Sequence, residues 1–73
     1  MTDLKEILKN RLTETFAEDT QEVTARKLNT TQGNVSKWVN GQQVPTADML
    51  RDISKAYKVS VDWLLGISDP LPM

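Results

Sequence analysis

The chain has 73 residues, 38% of them hydrophobic, a size that predicts one small domain with a modest core. It has neither cysteine nor histidine, which excludes a disulfide framework, a thiolate zinc site and the commonest general base, so no enzyme, cofactor, metal or small-molecule ligand is expected. The formal charge is −1, and neither a membrane-length apolar run nor a signal-peptide pattern is present, so a soluble cytoplasmic chain is the expectation.

Taken in order, Met1 and Thr2 are expected to be loose, and Asp3 to cap a first helix with Glu6 completing a capping box. Leu4, Ile7, Leu8, Leu12 and Phe16 recur at helical spacing and predict one buried stripe. Lys5, Lys9 and Arg11 on the same helix read as a solvated face in preference to phosphate contacts. Glu18 and Asp19 form an acidic link, after which Asp19 or Thr20 caps a second helix beginning at Gln21. Thr24 in that helix is placed to bond back to a carbonyl one turn earlier.

Residues 21–40, QEVTARKLNTTQGNVSKWVN, predict two short helices meeting at a tight corner. Ala25 is small enough for steeply crossed axes to approach, and Asn29 tolerates the left-handed conformation that such a corner requires. Thr30 is expected to cap the helix over 31–40, whose inner side carries Val35, Trp38 and Val39. Gly33 inside that helix costs up to about 1 kcal/mol against Ala. Either a partner's backbone approaches there, or an exposed turn simply tolerates it.

Gly41 ends the helix, and an uncharged loop, Gln42-Gln43-Val44-Pro45, follows. Thr46 caps a fourth helix with Met49, Leu50, Ile53, Ala56 and Tyr57 inward, Met49 and Tyr57 being core residues in preference to ligand contacts. Ser60 caps a short last helix stopped by Gly66, with Trp63 plugging the core. The domain is read as residues 1–66, and residues 67–73, with two prolines and no periodicity, as a flexible C-terminal tail. Five helices make a compact all-α domain.

Gln21, Ala25, Leu28, Val35 and Trp38, with Gly41 and Pro45 beyond, resemble the helix-turn-helix of the phage Cro and repressor (XRE-type) family. The likeness continues through PTADMLRDISKAYKVSVDWLLG and so spans Thr20 to Gly66, with Asn29 where the family usually has glycine. It implies a lambda-repressor-like fold and a transcriptional regulator of operator DNA, Cro-like in lacking a ligand or cleavage domain. By the same resemblance Gln32 is the principal base reader, Lys37 reaches guanine, and Thr31, Gly33 and Ser36 line the major groove. Gln21, Asn34 and Asn40 are the phosphate candidates; plain capping or solvation is the alternative for Gln21 and Asn40. Useful specificity from so small a module implies a homodimer on half-sites about one helical turn apart.

Charge pulls the other way. From Thr20 to Pro45, Arg26, Lys27 and Lys37 stand against Glu22 for a local +2, while the remaining residues carry −3. Proteins that hold duplex DNA alone are usually basic, because displaced counterions drive much of the affinity. The chain is also similar in size and helix order to the modulator-of-repression proteins of temperate phages. In that second reading it engages a phage repressor by protein contact, alone or as a mixed complex on DNA.

Overall fold

The computed structural model describes residues 3–67, and the expectations about Met1, Thr2 and the tail beyond Ile67 fall outside them. Five helices follow one another: α1 (Leu4–Thr15), α2 (Gln21–Leu28), α3 (Gln32–Val39), α4 (Ala47–Tyr57) and α5 (Val61–Leu64). None is long and apolar enough to cross a membrane.

Side-chain oxygens start four of the five. Thr20, Thr31, Thr46 and Ser60 each accept the N–H of the residue three positions on, at 3.1–3.3 Å, so one otherwise unpaired amide per helix is satisfied. The start of α1 differs from expectation: the Asp3 side chain makes no capping bond, and only its backbone carbonyl accepts, from the Glu6 and Ile7 amides.

The C-terminal ends of α2, α3 and α5 repeat one device. A residue with positive φ (Asn29 at 56°, Gly41 at 75°, Gly66 at 75°) turns the chain back. The next amide then reaches a carbonyl five residues earlier: Thr30 to Ala25, Gln42 to Lys37, and Ile67 to Asp62, each at 2.9 Å. Asn29 thus forms the corner between α2 and α3 as its side chain predicted. That corner also corrects the cap of α3. The Thr30 amide is consumed in closing α2, so the helix begins one residue later and Thr31 caps it.

The core lies where all five helices converge. Leu8, Leu12, Val35, Ile53 and Leu64 are essentially inaccessible to solvent, each contributing on the order of 1.5–3 kcal/mol by leaving water. Phe16 at the end of α1, Ala25 and Leu28 from α2, Trp38 from α3 and Leu50 from α4 complete it. Leu64 fills the centre from α5, whereas Trp63 is half-buried at the core's edge. The predicted stripes run too far at two ends: Leu4 is 45% exposed, and Ala56 faces solvent. Leu4 is the first residue of α1, and Ala56 is the next-to-last of α4, one turn beyond Ile53 on the same side, so both stripes run out at a helix end.

Thr24 behaves differently from expectation. It is fully buried, and its hydroxyl meets the Tyr57 hydroxyl at 3.1 Å instead of a carbonyl of its own helix. The Tyr57 ring packs on Phe16, with centroids 5.1 Å apart. This ties the end of α4 to both α1 and α2.

Candidate nucleic-acid interface

The orientation of α3 is fixed from beneath. Val35 is wholly buried and Trp38 is 5% exposed, and both belong to the core. At 100° per residue the opposite side of the helix carries Gly33, Ser36 and Lys37, with Gln32 at its leading end. Thr31, Gln32, Gly33 and Lys37 are exposed, and Ser36 is half-buried. Four of the five base-facing candidates therefore lie on the side of α3 away from its locked underside, and the fifth, Thr31, is exposed at its N-cap.

Their hydrogen-bonding states differ. The Thr31 oxygen accepts the Asn34 amide at 3.1 Å, yet its hydroxyl proton stays available to an outside acceptor. Ser36 accepts from the Asn40 side-chain amide at 3.2 Å, which links the middle of α3 to its C-terminal cap. Gln32 and Lys37 make no side-chain bond among the described residues, so both are free for a partner. A Cβ added at Gly33 meets nothing nearer than the Thr31 oxygen at 3.9 Å. Nothing among the described residues requires glycine there.

The three phosphate candidates sit in different settings. Gln21 is the first residue of α2 and half-buried, directly after the Thr20 cap. Asn40 is exposed at the end of α3. Asn34 is half-buried, and its side-chain amide donates to Thr30 at 3.0 Å. With Trp38, Gln43 and Met49 it borders a shallow pocket toward the loop before α4. Its side chain is thus partly committed to the corner.

Charge pairing removes part of the local positive field. Lys27 donates to Asp19 at 2.9 Å, and Arg26 lies 3.8 Å from Glu22 with both side chains about three-quarters exposed. An exposed pair of the second kind stabilises by about 1 kcal/mol at most. The hydrogen bond from Lys27 first, and that from Tyr57 second, hold the Asp19 carboxyl below its ordinary range; Asp19 in return raises Lys27. Lys37 is the motif cation with no acidic partner among the described residues.

Two basic side chains of α1 have structural settings that local sequence does not disclose. The Arg11 guanidinium lies 4.6 Å from the Trp63 ring centroid and so is not simply solvated. Lys9 runs along Gly41, next to Asn40. Each contact joins residues far apart in the chain, so no spacing rule reveals it.

Two helices crossed at an Asn29 corner, the second with a locked apolar underside and a free polar edge, define a helix-turn-helix domain. A model of the Helix-turn-helix family matches residues 18–64, well over half of the chain, and the chain belongs to that family of DNA-binding regulatory domains. No curated protein and no solved structure gives a comparable match.

Proposed function

We propose that the chain is a small phage-type, Cro-like transcriptional regulator that lays α3 in the major groove of operator DNA to govern a lysogeny/lysis-type switch in the bacterial cytoplasm. The observation that carries this reading is the opposition on α3: Val35 and Trp38 inward, Thr31, Gln32, Gly33 and Lys37 outward. A rigid edge of amide, hydroxyl and ammonium groups matches the donors and acceptors that base pairs display in that groove. Gln32 pairs with adenine and Lys37 with guanine, while Ser36 follows the groove. Gln21, Asn34 and Asn40 fix the register on phosphates. A homodimer repeats the module on two half-sites.

The test is a titration of duplex carrying the intergenic operator against the purified protein at two salt concentrations. Binding that weakens steeply with salt is expected. Gln32→Ala is expected to cost about 1–3 kcal/mol on operator and to relax the preference at one base position. An unchanged base profile removes Gln32 from its role.

A second reading rests on the same face. With Lys27 and Arg26 beside acids and the 42–44 loop uncharged, the interface has a weak positive field. A modulator of repression that contacts a basic phage repressor would need no more than that. Repeating the titration with the repressor present separates the two: DNA binding only in its presence, or release of the repressor from operator, favours the modulator.

A further inference from the structure

The uncharged loop after α3 leaves the DNA-binding reading short of cations where Asn40 meets the backbone. We infer that Lys9, from α1, is the phosphate-contacting cation at that end of the interface, delivered there by the packing of its own stem on Gly41. This rests on the DNA-binding reading.

Gly41 takes φ +75° to close α3, and the face its missing side chain leaves bare is covered by Lys9. A Cβ built at Gly41 falls 3.3 Å from Lys9 Cδ, 3.8 Å from its Cβ and 3.9 Å from its Cγ. The aliphatic stem therefore lies along the glycine, and the ammonium is carried past it. A lysine with a sheltered stem and a free head is the ordinary way to hold a positive charge at an apolar boundary. Asn40 and Gly41 share a shallow cleft with Lys5 and Lys9, rimmed by Asp3 and Glu6. Neither lysine is in an ion pair among the described residues.

The chemistry complements Asn40. A neutral amide positions a phosphate by hydrogen bonding but releases no counterion; an ammonium beside it does. Lys9 thus does for this chain what a charged loop would do. The competing role for Lys9 is purely internal: a cation near the C-terminal end of α3 also complements that helix's dipole. The two roles separate in the salt dependence, which a stabilising contact within the monomer leaves untouched.

The experiment uses the full chain with fluorescently labelled duplexes, one carrying the operator and one of random sequence, across a salt series. Lys9→Gln is expected to weaken binding to both duplexes alike, by up to about tenfold near 0.1 M salt, and to lower the slope of log K against log salt by about one. Lys9→Arg is expected to keep the slope, and Lys55→Gln, at an exposed position of α4, to leave it unchanged. A slope unaltered in Lys9→Gln overturns the assignment and leaves the DNA-binding reading standing. A wild-type chain that binds neither duplex overturns both.

Discussion

The Tyr57 phenol meets the hydroxyl of Thr24, 33 residues away in sequence, at 3.1 Å, and its oxygen also lies 2.9 Å from the Asp19 carboxylate. A phenol has one proton to give. It goes to the carboxylate, so the Thr24 hydroxyl donates into the phenol oxygen, and three segments meet on one atom. Because Thr24 is fully buried, it has no solvent to turn to if that partner is lost.

Tyr57→Phe is therefore expected to destabilise the fold by about 1–3 kcal/mol, the range for stranding a buried hydroxyl. Pairing it with Thr24→Val should recover part of that loss, since an apolar group of the same shape leaves nothing unsatisfied. Urea denaturation of the two single variants and the double variant checks this. A double variant that loses the full sum shows that the two hydroxyls act independently.

Acid should find Asp19. Its carboxyl is held below its ordinary value of 3.8 by the hydrogen bonds from Lys27 and then Tyr57. A group whose folded pKa is depressed adds stability that is present above the unfolded pKa and disappears as pH falls through the folded one. The melting temperature of the wild type is thus expected to fall further than that of Asp19→Asn between about pH 4 and pH 2. Lys27 works at the other end: raised above 10.5 by Asp19, it contributes stability that is lost only as pH climbs past its folded pKa. Superimposable acid limbs for wild type and Asp19→Asn refute the coupling.

Gly33 separates stability from recognition. An added methyl meets only the Thr31 oxygen, at an ordinary contact distance of 3.9 Å, so Gly33→Ala is expected to raise stability by up to about 1 kcal/mol through helix propensity. In the proposed reading the same methyl stands on the edge laid in the groove, and duplex affinity is expected to fall. Melting and anisotropy titrations of one variant measure both. Full retention of affinity shows that the backbone stays clear of the DNA at this point.

Much of the frame was legible because it is local. Five helical periods, the oxygens of Thr20, Thr46 and Ser60, and the left-handed residues Asn29 and Gly41 act within a few positions along the chain, and the structure keeps them. The inward turn of Val35 and Trp38 follows from the same 3.6-residue period. Local sequence places the cap of α3 one residue early, on Thr30, because Thr30 and Thr31 carry the same chemistry. The hydrogen bond that closes α2 decides between them.

By itself, then, the sequence determined the helices, the caps of α2, α4 and α5, and the polar outer edge of α3, because each depends on neighbours fixed by the covalent chain. Only the tertiary structure decided that Thr24 answers Tyr57, that Arg11 covers Trp63, that Lys9 lies on Gly41, and that Leu4 and Ala56 stay in solvent. Those outcomes depend on where one helix ends against another, and a periodic pattern records which side of a helix is apolar but not how far its partner extends.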